Sequence, residues 1–158
     1  MFSKTEQFIA YIVFKRPRAS ITSIMKLSYL IDLVSFKNRG VVVSDFEYRR
    51  YTFGPFDKTI YETIERLVLN HILVQSTEYA PMGEEFTVFS FSPEKEDSFV
   101  FGELSSEEIE LIDRVISELS GYGAKSLTEL AYQTAPMQEK GATLGGNEHF
   151  NEVLNLGA

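Results

Sequence analysis

The sequence predicts an α+β fold, predominantly helical: a compact bundle around a buried central helix, with a small antiparallel sheet or hairpin. Three observations carry that reading. Residues 21–39 run for nineteen positions without Gly or Pro and are apolar on nearly every side. Two runs rich in β-branched and aromatic residues, 72–79 and 85–92, flank a turn containing Pro81, Met82 and Gly83. Ser105-Ser106-Glu107-Glu108 and Ser126-Leu127-Thr128-Glu129 each have the spacing of a helix capping box.

In order, residues 4–16 place Phe8, Ile9, Ile12 and Val13 at helical spacing, and Pro17 stops that helix. Ser20 or Thr22 caps the central helix, and Gly40 closes it. On its wheel Ile24, Leu27, Ile31 and Val34 form one side and Met25, Tyr29, Leu33 and Phe36 another. A narrow polar strip of Thr22, Ser23, Lys26 and Lys37 reads as the wet edge. Residues 41–43 and 45–53 look extended. In the longer run Phe46, Tyr48, Arg50 and Thr52 share one face, and Glu47, Arg49, Tyr51 and Phe53 the other. Gly54-Pro55 reads as a break that restarts the chain as a third helix, about 56–70, with Ile60, Ile64, Leu67 and Val68 inward. The hairpin at 72–92 follows, with both faces expected to be covered at least in part. A helix from the first capping box runs to about Ser120, with Ile109, Ile112, Ile116 and Leu119 inward. A shorter one, opened by the second capping box, ends before Pro136. Residues 1–140 are read as one domain. The Gly- and Asn-rich tail, 141–158, is expected to be partly disordered or weakly helical near 147–154.

The chain has no cysteine, which removes disulfides, a thiol nucleophile and Cys-based zinc sites. Its longest N-terminal apolar run, Phe8 to Phe14, is too short to span a bilayer, and Glu6 before it argues against a signal peptide. A cytoplasmic protein with no membrane contact is the expectation. The net charge of −8 is unevenly spread: residues 1–70 balance at +4 and residues 71–158 at −12. An acidic half of this kind suits a basic partner, although solvated helix faces alone account for it equally well.

No enzyme chemistry stands out. The two histidines, His71 and His149, form no HxxH, HxxxH or HxH pair, so no metal site is expected. Glu107, Glu108 and Glu110 crowd a helix start, where the dipole favours acids. Gly145-Gly146 lacks the lysine of a phosphate loop, and no serine sits in a nucleophile elbow. No catalytic residue and no cofactor are assigned. Asp32 is the acid that needs an explanation: on a buried helix it must be paired or hydrogen-bonded, and Arg49 and Arg50 are the nearest partners in sequence. The order helix, strand, helix, hairpin also matches a winged-helix DNA-binding regulator. Against that alternative, the candidate recognition helix offers Lys58 and Arg66 against Asp57, Glu62 and Glu65. The candidate wing carries Glu78, Glu84 and Glu85, which repel phosphate, so DNA is not the expected partner.

Ile24-Met25-Lys26-Leu27-Ser28-Tyr29-Leu30-Ile31-Asp32 resembles the opening helix of the Panacea domain, the SocA-like antitoxin family, which typically reads "lqKLlYlad". Tyr51-Thr52-Phe53-Gly54-Pro55-Phe56 resembles the family's aromatic run ending in "yGPv". The stretch from Ser126 to Met137 resembles its "seLs..thqt.pW" segment, with Met137 where tryptophan is usual. The likeness covers about residues 5–140, with the motifs in family order. It implies a mostly helical, non-catalytic domain that binds and neutralises a cognate protein toxin encoded beside it. It also implies that in some members the domain presents the toxin to a protease. The exposed, aromatic and basic strand Tyr48, Arg49, Arg50, Tyr51 and Phe53, with the turn Gly54-Pro55-Phe56, is the candidate contact surface. The competing reading makes Phe53, Gly54 and Pro55 a purely structural turn.

Overall fold

A computed structural model describes all residues, Met1–Ala158. Helix α1 (Lys4–Lys15) is followed by α2 (Ile21–Arg39), then by strands β1 (Arg49–Tyr51) and β2 (Gly54–Phe56). After them come α3 (Thr59–Leu69), strands β3 (Leu73–Tyr79) and β4 (Glu85–Phe91), and helices α4 (Ser106–Glu118), α5 (Ala124–Tyr132) and α6 (Ala135–Glu139). The α+β, mainly helical architecture expected from the sequence is the one observed.

The centre is α2, which α1, α4, α5 and β2 all touch. Ser20 caps it by accepting a hydrogen bond from the Ser23 amide, and Gly40 ends it at φ 76°, a left-handed conformation that glycine takes without strain. Every residue from Ser23 to Leu33 is buried. At ~1.5–3 kcal/mol for each fully buried large apolar side chain, this helix is the largest single contributor to the core. The polar strip is the exception to the wheel reading. Lys37 is exposed, but Ser23 and Lys26 are buried, because the β1–β2 hairpin lies over that end of the helix.

Two capping boxes are formed, one of them at α1, where Ser3 and Glu6 exchange bonds with each other's backbone. The second is the expected one at α4, between Ser105 and Glu108. Ser126 and Glu129 do not form a third. Helix α5 starts at Ala124 from a Gly123 cap with no side-chain bond, which places Ser126 inside the helix. Pro136 falls within the first turn of the short α6, where its missing N–H is no loss.

The expected hairpin forms between β3 and β4, antiparallel, from Leu73 opposite Phe91 to Tyr79 opposite Glu85. Its base is anchored by Ala19 bridging to Phe89. The expectation that both faces are covered holds only at that base, since residues 74–77 and 81–87 are exposed. The larger revision concerns Gly54-Pro55-Phe56. These residues do not open α3. They form the return strand of a tight hairpin, Tyr51 opposite Gly54, and α3 begins three residues after Phe56. Residues 147–154 form no helix. They run beside β1, with Val153 bridging Arg49, the Leu154 amide donating to Tyr48 O and the Arg50 amide donating to Glu152 O.

Candidate functional site

Asp32 defines the floor beneath the β1–β2 hairpin. Its carboxylate is fully buried and accepts four hydrogen bonds: from the amides of Val43 (2.8 Å) and Ser44 (3.1 Å), from the Ser44 hydroxyl and from the Tyr48 hydroxyl (2.7 Å). Neither Arg49 nor Arg50 is a partner. The chain turns back directly after α2, so the amides of residues 43 and 44 reach the carboxylate before the arginines can. Burial pushes the Asp32 carboxyl above the ordinary range, against the pull of the Ser44, Tyr48 and Val43 bonds. Burial together with the Asp32 charge holds the Tyr48 hydroxyl well above its usual range, so it remains a donor. Tyr48 also meets the ring of Tyr29 edge-on at 5.3 Å. This knot fixes where the hairpin leaves the core.

From there the alternation read from the sequence governs the strand. Phe46, Tyr48 and Arg50 point inward and are buried; Glu47 and Phe53 are exposed, and Arg49 and Tyr51 are partly so. Arg50 has no exposed surface, which removes it and Tyr48 from any contact surface. Its guanidinium donates to the Tyr51 carbonyl, to Tyr132 Oη (3.1 Å) and to the carbonyls of Thr143 (3.0 Å) and Gly146 (2.9 Å). It also sits 3.7 Å from Glu148 and stacks over the Tyr132 ring. It thus clamps the tail onto the hairpin, leaving one buried polar atom, its Nε, without a partner.

Thr52 and Phe53 make the two-residue turn, and Gly54 follows at φ 108°. A Cβ on Gly54 would lie 3.4 Å from both Lys26 Cε and a Tyr132 ring carbon, so the backbone approaches both side chains closely. Gly54 and Pro55 are buried. The Pro55 carbonyl accepts a hydrogen bond from Lys26 Nζ at 3.2 Å. Burial draws the Lys26 ammonium down to about 8.

Of the eight candidate contact residues, Arg49, Tyr51, Phe53 and Phe56 keep accessible surface. Arg49 is held locally by Glu47 (2.7 Å) and by the Asn151 carbonyl. Phe53, 68% exposed at the turn, is the most prominent. Tyr51, Phe56 and Tyr61 form a row of mutually tilted rings with centroids 4.5 and 5.5 Å apart, extended at the other end by Phe150, edge-on at 5.2 Å from Tyr51. Between this row and the start of α2 lies a groove of about 240 Å³ that includes Met25, Lys26 and Phe53. A second hollow, about 370 Å³, lies on the other side of Phe53, against the first turn of α5, Lys125 and Leu144. Sequence reasoning missed Lys26, Tyr61, Lys125 and Phe150. Only Lys26 left a signal, as a lysine within a helix otherwise apolar nearly all round. No group of three or more His, Asp or Glu side chains is placed to hold a metal ion, and no helix is long and apolar enough to cross a membrane.

The arrangement is that of a small helical scaffold presenting an aromatic hairpin beside a groove. Residues 24–136 match the family described as Antitoxin SocA-like, Panacea domain. That match spans more than half of the chain, and the protein belongs to this family. It takes in α2 from Ile24 onward, the Asp32 knot, the β1–β2 hairpin and α5. Searches of curated proteins and of solved structures return no match.

Proposed function

We infer that this protein is an antitoxin that neutralises a cognate toxin by direct contact, through the exposed side of the β1–β2 hairpin. Membership of the SocA-like antitoxin family supports a toxin partner in general. The observation that carries the choice of surface is Phe53. A large aromatic side chain is left mostly in water at the tip of a hairpin whose other side is locked by Asp32, Arg50 and Lys26. Rigid aromatic anchors on a fixed backbone give up little conformational entropy on binding, which is why such residues dominate interface energetics. The role is one of binding, without catalysis.

The DNA-binding alternative loses ground in the fold. Arg66, one of the two cations available on the candidate recognition helix, is ion-paired with Glu6. The arm that would serve as a wing carries Glu84 and Glu85 at its exposed end. The test of the antitoxin reading is co-expression of the adjacent reading frame with wild-type protein and with Phe53→Glu. Wild type restores growth and Phe53→Glu does not; equal protection by both removes the hairpin from the account. A toxin half-life unchanged by the antitoxin marks masking, whereas a shortened one marks delivery to a protease.

A further inference from the structure

Lys26 lines the groove at the α2–hairpin junction, is almost wholly buried, and has no counter-ion. The residue is 3% exposed, and its single hydrogen bond goes to a neutral acceptor, the Pro55 carbonyl. An ammonium has three N–H donors, and none of those of Lys26 meets a carboxylate. A buried charge without an ion partner is unfavourable, so its retention calls for a physical reason. The surroundings supply one. The groove it lines and the hollow on the other side of Phe53 carry two charged side chains, Lys26 and Lys125, and no acid, in a chain of net charge −8. Two helix starts face the same region: Ile21 and Thr22 of α2 line the groove, and Ala124 and Lys125 of α5 line the hollow. Neither helix has an acidic residue in its first turn, and α5 has no side-chain cap. No acidic side chain therefore offsets the positive end of either dipole, although Ser20 caps α2.

We propose that the groove beside Phe53 is a carboxylate-reading site, which takes an apolar or aromatic group of the partner protein against Tyr51, Phe56 and Tyr61 and an attached carboxylate on Lys26. The proposal rests on the antitoxin reading for the identity of the partner, and it names the chemistry by which that partner is recognised. The wall is aromatic and Met25 lies beside Lys26, which fits an acidic side chain or chain terminus next to an apolar one. A basic segment of the partner would instead meet the acidic second half of the chain. In the bound state the carboxylate accepts the hydrogen bonds that Lys26 has to spare, in a site shielded from water, where a charge-assisted bond is stronger than a neutral one.

The probe is 3-phenylpropionate, with 3-phenylpropionamide as the neutral control, titrated into the full chain and followed by NMR shifts of Tyr51, Phe53 and Tyr61. Saturable shifts are expected with the acid, and binding roughly tenfold or more weaker with the amide and with Lys26→Gln. Equal binding of acid and amide, or no saturable shift with the acid, overturns the proposal. Should Lys26→Gln fail to fold, the acid–amide comparison on wild type still decides. In the co-expression assay, loss of protection by Phe53→Glu with full protection by a folded Lys26→Gln refutes the carboxylate site and leaves the antitoxin surface standing. Full protection by both variants refutes the surface itself.

Discussion

Replacing Asp32 by alanine tests how the hairpin is fixed to the core. The substitution removes the acceptor of four hydrogen bonds at a fully buried position. The two hydroxyl donors, Ser44 and Tyr48, can rotate towards other acceptors. The amides of Val43 and Ser44 are held by the backbone and cannot. A buried donor left without a partner costs ~1–3 kcal/mol, so the two amides alone give about 2–6 kcal/mol. Relief of the burial cost of the carboxylate offsets part of this, and about 1–4 kcal/mol is expected. For a chain of this length that lowers Tm by roughly 2–16 °C. Asp32→Asn keeps one oxygen for both amides, and its NH2 group can donate to the two hydroxyls once they turn; about 1 kcal/mol is expected. Urea and thermal unfolding measure both. An Asp32→Ala protein that melts with wild type, or an asparagine variant as damaged as the alanine one, would show that the two amides do not depend on the Asp32 oxygen.

Three further outcomes follow from the same geometry. Because burial raises the Asp32 carboxyl, the folded state binds more protons than the unfolded chain between the ordinary aspartate value and the raised one, so this group's contribution to stability falls as pH rises through that window. Glu108 has the opposite sign. Burial pushes it up, but Lys4, the Ser105 amide and Arg39 carry it below the usual range, and its contribution is lost as pH falls through the lowered value. In unfolding curves across acid pH, Asp32→Asn therefore removes a decline with rising pH and Glu108→Gln removes a decline with falling pH; the reverse assignment would contradict both environments. Gly54→Ala, at φ 108° and against Lys26 and Tyr132, lowers stability by about 1–3 kcal/mol, whereas an unchanged midpoint would show that the turn relaxes freely. Deleting residues 147–158 removes Glu148 from Arg50 and the carbonyl of Glu152 from the Arg50 amide, so stability falls and tryptic cleavage at Arg50 accelerates; a resistant Arg50 would mean that the clamp does not depend on the tail.

Much of the scaffold was legible because its signals are local. The limits of α2 are written in Ser20 and Gly40, the start of α4 in Ser105 and Glu108, and the β3–β4 hairpin in two β-rich runs around the turn at Pro81, Met82 and Gly83. The β1–β2 turn was not legible. Gly54-Pro55 is also a good helix start, and a local pattern does not say that Gly54 will take a positive φ to return the chain across α2. Arg50 and Lys26 share a different cause. A wheel or an alternation shows which residues lie on one face, but not whether another element covers that face. The tail covers Arg50, the hairpin covers Lys26, and neither cover is sequence-adjacent. The helical wheel shows Asp32 as an acid in need of partners but does not name them. Two of its four donors are backbone amides, which carry no sequence signal, and the other two are the hydroxyls of Ser44 and Tyr48, which the fold beyond α2 brings to it.

Neutralisation of a toxin by the exposed aromatic side of the β1–β2 hairpin is measured directly by survival of cells expressing the adjacent reading frame together with wild-type protein or Phe53→Glu, with the melting temperatures of both proteins determined alongside. Growth with wild type, no growth with Phe53→Glu and matching melting temperatures are predicted, since Phe53 is 68% exposed and contributes little to the core. Equal growth with both proteins, or a neighbour that is harmless alone, would contradict the account.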